Sequence, residues 1–283
     1  MKIAFVGKGG SGKSTVATQM ALHLSSAGNR VIAIDADHNM DLSYNLAEGK
    51  VSDLVFFGDS LADISQFVGL REGEKYPELF LGDRYQESLF TTDERDSFFA
   101  KYGKKISEKI LLATAGPQTD DVLYGKSCSH VLTTPLKILL PLLRLDEDEV
   151  VIVDEKAGAD GVSTGIITGV DAGVIVCEPA LHSVKTAKQI AELMQFYKTP
   201  YIFVGNKVAS SEDKDFITSE IGEEPVAFLM ESLSAKRSPF VPVAEWGDEL
   251  EKVFSLAKER NRDDVLERTR EKFLRNKEWQ GHE

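Results

Sequence analysis

Seven short aliphatic runs recur along the 283-residue chain, at 2–6, 31–35, 109–114, 150–154, 173–177, 201–205 and 226–229. Within them the stretches IAFV, VIAI, VVIV and VIVC contain no charged residue. A strand with one wet face alternates apolar and polar positions, so unbroken runs point to parallel strands covered by helices on both sides. Longer amphipathic stretches separate the runs. This alternation predicts an α/β fold: a doubly wound, mostly parallel sheet of about seven strands flanked by helices. The first helix follows run 2–6, with Val16, Ala17, Met20, Ala21 and Leu24 along one face and Gly28 as its stop.

Two regions break the rhythm. Residues 44–108 scatter Phe56, Phe57, Phe67, Phe80, Phe90, Phe98 and Phe99 among acids and glycines. They read as a mostly helical insertion whose aromatic residues either cover a sheet face or recognise a partner; cover is favoured, because aromatic side chains serve burial first. Residues 246–280 read as a C-terminal helical segment with an apolar stripe at Val265, Leu266, Thr269 and Phe273. Both signs of charge surround that stripe, which suits packing against the domain better than lying on a membrane. The whole of 1–283 is therefore expected to be one domain.

Composition narrows the setting. Cys128 and Cys177 form neither a CxxC pair nor a disulfide framework, which fits a reducing cytoplasm. No charged leader with a cleavable apolar core opens the chain, and no apolar run approaches the ~20 residues of a membrane span, so no membrane association is expected. A formal net charge of −13 argues against broad nucleic-acid binding, which depends on clustered lysine and arginine. It leaves small anions open, since backbone amides and a few local cations suffice to hold them.

The chain begins MKIAFVGKGGSGKST, in which Gly7, Gly12, Lys13 and Ser14 satisfy GxxxxGK[ST] between a strand and a helix. In such a loop Gly9, Gly10, Ser11, Gly12, Lys13, Ser14 and Thr15 wrap the phosphates, Lys13 neutralises the β and γ oxygens, and the Ser14 hydroxyl ligates Mg²⁺. Downstream, DADHNMD sets Asp35, Asp37 and Asp41 at the end of the second run, and VVIVDEKAG ends the run 150–154 in Asp154, with Gly158 close behind. YIFVGNK ends a late run in Asn206 and Lys207, the candidate contacts for a base. A guanine site continues as NKxD; Ala209 stands there instead, which favours adenine. FLMESLS, after the last run, offers no clear second half for the base pocket.

The fuller loop KGGSGKST resembles the deviant Walker A motif of the MinD, ParA and nitrogenase iron protein class of P-loop ATPases. That resemblance implies ATP and Mg²⁺ as ligands and a homodimer as the working unit, with Lys8 reaching the opposite subunit's phosphates. It also implies that Asp37 orients the attacking water, that Asp154 is the Walker B carboxylate, that Gly158 belongs to the second switch, and that Ser14, Asp37, Asp41 and Asp154 surround Mg²⁺. The segment YGKSCSHVL and the DxxAG form of DEKAG are similar to the accessory ATPases that mature carbon monoxide dehydrogenase by nickel insertion. Those proteins carry a CxC pair where Cys128-Ser129-His130 stands here. Paired across a twofold axis, Cys128 and His130 would offer two thiolates and two imidazoles to Zn²⁺ or Ni²⁺. The expectation is an ATPase switch serving a client metalloenzyme; the alternative is a ParA- or MinD-like positioning or scaffold ATPase.

Overall fold

Each of the seven aliphatic runs forms a strand, and an eighth lies at one edge of the same sheet: β1 (Lys2–Gly7), β2 (Arg30–Asp35), β3 (Gly103–Ser107), β4 (Ile110–Thr114), β5 (Glu149–Asp154), β6 (Ala172–Cys177), β7 (Tyr201–Val208) and β8 (Ala227–Met230). Their order across the sheet is β3-β4-β2-β5-β1-β6-β7-β8. The computed structural model describes residues 1–93, 95, 97–118, 124 and 132–280. All neighbouring strands run parallel except β3, which returns antiparallel to β4. Sequence pattern misses β3 for a physical reason: GKKIS carries two lysines and one aliphatic residue, as suits a half-exposed edge that must not recruit another strand.

Alternate residues of the buried strands enter opposite faces. Ile3 and Phe5 of β1, with Val150 and Ile152 of β5, pack beneath helix α1 (Lys13–Ser26) and the helix Gly247–Glu259. All five stripe residues of α1 are buried there. Ala4, Val151 and Val153 face the other way, toward Phe57, Phe80, Phe90, Phe98, Phe99 and the helix Thr134–Leu142. On that same side, beyond β1, Ile175 and Cys177 meet the helices Leu181–Phe196 and Ser211–Ile221.

The 44–108 segment is helical in short pieces of six or seven residues, at Leu61–Phe67, Tyr76–Leu81 and Ser97–Tyr102, joined by turns. Its rings pack on one another, with Phe67 and Phe90 centroids 5.1 Å apart and Phe98 and Phe99 5.0 Å apart. Phe56 stays partly exposed while the others turn inward. The C-terminal region is two helices, Gly247–Glu259 and Val265–Gln280, and they cover opposite faces: Phe273 of the second stacks on Phe80 at 5.5 Å. Among the described residues no helix is long and apolar enough to cross a membrane.

That last helix also carries a lysine into the interior. Lys272 is 7% exposed, and its ammonium donates to the Gly165 carbonyl at 3.1 Å. Burial, reinforced by the charge of Lys137 and opposed by Glu155, lowers its pKa to about 7. The unfolded chain, with lysine near ~10.4, then binds more protons than the folded one between those two values. Stability contributed at this position therefore rises with pH across that window, and the cost of the buried charge is complete below it. Lys272→Met is expected to stabilise the protein at pH 6 by about 1–3 kcal/mol and to lose that advantage toward pH 10. Thermal melts of both proteins across this range check it; a gain that persists at pH 10 would point to packing instead.

Candidate functional site

β1, β2 and β5 end side by side, with Phe5 and Asp35 both paired to Asp154 in the parallel register. Everything placed just beyond those residues converges at the carboxyl end of the sheet. From Gly7 the chain turns through Lys8–Gly12 into α1, and two glycines there are geometrically required. A Cβ on Gly7 would lie 2.4 Å from the Val176 carbonyl oxygen. Gly12 takes φ +89°, where a Cβ would also meet the Asn206 amide at 2.3 Å.

Lys13 opens α1 and points back into the sheet end. Its ammonium sits 2.9 Å from Asp37 Oδ2 and 3.1 Å from Asp154 Oδ1, with the Ser14 hydroxyl at 3.3 Å. All four residues are buried. Burial works against the lysine charge, but Asp154 and Asp37 together hold its pKa above the usual lysine range. The lysine's charge is shared unevenly between its partners. Burial opposes ionisation of Asp37 as well, yet Lys13 keeps it below the usual carboxylate range, whereas burial carries Asp154 above it.

Asp35 lies behind this pair. Its Oδ2 accepts from both the backbone N–H and the hydroxyl of Ser43 at 2.7 Å, and its Oδ1 accepts from the Asp37 N–H at 3.2 Å. Burial, then the neighbouring Asp154 charge, raises Asp35 to about 7, while the Ser43 bonds pull the other way. Asp35 thus anchors the turn that presents Asp37. Ser43, whose hydroxyl also meets Thr114 Oγ1 at 2.8 Å, is a supporting residue that the sequence did not flag. Glu155, which follows Asp154, is fully buried, both its carboxylate oxygens lack a hydrogen-bond partner, and burial pushes it up to about 8.

Asp41 begins a second helix, α2 (Asp41–Leu46), and stays exposed at the rim. Gly158, at φ +88°, donates its N–H to the Gly7 carbonyl at 2.8 Å, tying the segment after β5 to the phosphate loop. Lys8 is only partly buried, and its ammonium reaches the Gly9 carbonyl at 3.3 Å. Asn206 and Lys207 lie behind the loop: the Asn206 amide donates to the Ser11 carbonyl at 2.8 Å, and the Lys207 ammonium to that of Gly10. Cys128 and His130 lie outside the described residues.

In front of the loop is a cavity of about 410 Å³, lined by Gly9, Gly10, Gly12, Lys13, Ser14 and Thr15 on one side and by Asp37, Asn39, Asp41 and Asn45 on another. Ala235, Lys236 and Pro239 close it. These last three answer the gap left by FLMESLS: Ser232 caps the short helix Leu233–Arg237, accepting from the Ala235 N–H at 3.3 Å, and so brings that helix to the cavity. Among the described residues no group of three or more His, Cys, Asp or Glu side chains is arranged to hold a metal by itself. A hard cation that binds through one or two carboxylates plus phosphate oxygens does not need one. Asp154 Oδ2, buried without a hydrogen-bond partner beside the Ser14 hydroxyl and the Lys13 ammonium, fits that donor set.

Comparison with known proteins agrees with this geometry. The carbon monoxide dehydrogenase accessory protein CooC of Rhodospirillum rubrum is 32% identical over 219 residues, covering 77% of this chain and 78% of the relative. An uncharacterised ATP-binding protein of Methanocaldococcus jannaschii is 30% identical over 264 residues, covering 90% of this chain and 96% of the relative. The structure of the septum site-determining protein MinD of Pyrococcus horikoshii, complexed with Mg-ADP, superposes with a TM-score of 0.57 at 16% identity, over 91% of this chain and 94% of that one; it shares the fold. Residues 3–237 match the family described as the CobQ/CobB/MinD/ParA nucleotide binding domain, and the chain belongs to that family of P-loop proteins.

Proposed function

We propose that this protein is an ATP-hydrolysing homodimeric switch that assists maturation of, or metal insertion into, a partner metalloenzyme. The observation that carries the proposal is the 32% identity to a carbon monoxide dehydrogenase accessory protein across most of both chains. The buried set of Lys13, Asp37, Asp154 and Ser14 supports its nucleotide half.

In this reading ATP enters the cavity with its phosphates on residues 9–15, and Lys13 exchanges its two carboxylate partners for the β and γ oxygens. Ser14 and Asp154 would hold Mg²⁺, which would supply charge neutralisation at those oxygens. Asp37, released from Lys13, orients water in line with the γ phosphorus, and hydrolysis gives ADP and phosphate. Gly158, whose N–H donates to the Gly7 carbonyl, would follow the γ phosphate and relax on its loss. Adenine would lie toward Lys207 and the wall of Ala235, Lys236 and Pro239, with Asn206 acting on the base or through the loop. Cys128 and His130 of two subunits form the metal site at the dimer axis.

The test is metal content of anaerobically purified protein, with and without ATP. About one Zn²⁺ or Ni²⁺ per dimer is expected, lost in Cys128→Ser and strongly reduced in His130→Ala, because four ligands complete a tetrahedral site only across the axis. Dimers that turn over ATP but hold no stoichiometric metal after reconstitution would remove the metal half of the proposal. Ligand residues apart, the remaining cysteine is ill suited to metal: Cys177 is fully buried, and burial pushes its thiol up to about 12.

A further inference from the structure

Strand β7 ends in an irregularity. Val204 and Gly205 pair in register with Ala227 and Phe228 of β8, but Val208 pairs with Met230, one residue short of a regular ladder. Within that break Lys207 adopts φ +57°, a left-handed conformation uncommon for a residue with a side chain. In a regular strand successive side chains leave opposite faces of the sheet. Here the break re-aims two successive side chains at the same target. Asn206 donates to the Ser11 carbonyl at 2.8 Å, and Lys207 donates to the adjoining Gly10 carbonyl.

The chemistry of a phosphate loop explains why those carbonyls need partners. Amides that converge on an anion require the carbonyls of the same segment to turn away from it, since a carbonyl oxygen aimed inward would repel phosphate. Two consecutive carbonyls on the outer side of the turn are then left needing donors. Asn206 is buried and short, and packing fixes it. Lys207 is long, with its side chain 36% exposed, and needs something to hold its ammonium in place. Glu178 does this: its carboxylate lies 2.7 Å from the Lys207 ammonium, and its side chain is 21% exposed. Glu178 directly follows β6, opposite Asn206 in a register that pairs Cys177 with Gly205. Its own backbone is fixed, because its N–H donates to the hydroxyl of the buried Ser183 at 3.1 Å.

We propose that Glu178 is a positioning residue for nucleotide binding: through Lys207 it holds the Gly10 carbonyl outward and keeps the phosphate loop in its anion-binding shape before any nucleotide arrives. The role rests on the reading of this loop as an ATP site, and it belongs to binding rather than to the chemical step. Both ADP and ATP use the same loop, so both depend on Glu178 to the same degree.

Glu178→Gln keeps the size of the side chain and removes its charge. Titration of the Mg²⁺ complexes of ADP and ATP is expected to show both bound about five- to tenfold more weakly, as for a charge-assisted contact that is partly screened by solvent. Turnover at saturating ATP stays unchanged while KM rises, and the melting temperature does not move. In the nucleotide-free protein, amide hydrogen exchange across residues 8–13 becomes faster. Lys207→Met gives a larger loss, and adding Glu178→Gln to it changes nothing further, because the two act in series. Unaltered affinity and unaltered exchange in Glu178→Gln would overturn the proposal, as would a full extra loss in the Lys207→Met background. If the wild-type protein bound neither nucleotide, the ATPase reading would fall, and the exchange comparison would still decide whether Glu178 holds the loop.

Discussion

Lys13→Ala is expected to abolish detectable nucleotide binding and also to destabilise the protein before any nucleotide is added. The second effect follows from the geometry at the sheet end. Lys13 is the cation between Asp37 and Asp154, at 2.9 and 3.1 Å, and all three side chains are buried. Removing one member of such a set leaves uncompensated charge in a low-dielectric site, at a cost of roughly 3–5 kcal/mol. For a chain of this size that corresponds to a fall in melting temperature of about 5–8 °C. The two losses separate in a double variant. Asp37→Asn in the Lys13→Ala background restores part of the melting temperature, because one stranded carboxylate is gone, but restores no affinity. Calorimetric melts and ADP titrations check both, and a single variant that melts like the wild type would show that the acids find other partners. The same geometry couples nucleotide to metal. In the proposed mechanism Lys13 moves to phosphate and leaves Asp154 in need of a new cation, so nucleotide affinity is expected to fall when Mg²⁺ is chelated.

The residues of the sheet and of the site differ in how far the sequence reveals them. Seven strands were legible because burial on both faces leaves no room for polar alternation, and β3 was not, because an edge strand is selected for charge instead of apolar pattern. Lys13, Ser14 and Asp154 were legible for a different reason: a phosphate loop and an acid at a strand end are marked by local spacing, and in a doubly wound fold both lie at the carboxyl end of the sheet. Ser43, Glu155 and Glu178 have no such signature. Ser43 meets Thr114 and Glu178 meets Lys207 through contacts far away in the chain, and the burial of Glu155 shows only in the folded protein. Asn206 and Lys207 fall between these cases. Their strand-end position marked them as site residues, but only the break in β7 turns both side chains onto the loop carbonyls.

Lys8→Ala is the counterpart test, with the opposite pattern: nucleotide affinity close to wild type, and ATP-dependent dimerisation and hydrolysis lost. In one subunit the Lys8 ammonium rests against the Gly9 carbonyl at 3.3 Å, while Lys13 lines the cavity. Within its own chain Lys8 therefore has little to contribute to phosphate binding, and its truncation leaves the Lys13 set intact. A cation supplied from the facing subunit acts on charge that develops in the transition state and is worth roughly a thousandfold or more in turnover. Sedimentation with a non-hydrolysable ATP analogue and steady-state turnover measure the two losses. Mixing supplies the decisive arrangement. Asp37→Asn retains Lys8 but lacks the group proposed to orient water, whereas Lys8→Ala retains Asp37. In a mixed dimer the Lys8→Ala subunit receives the partner subunit's Lys8 beside its own Asp37, completing one site. A mixture that hydrolyses ATP when neither variant does so alone is the expected result. Wild-type turnover by Lys8→Ala alone, or no recovery on mixing once mixed dimers are shown to form, would assign Lys8 to its own subunit and remove the reason for a two-chain active unit.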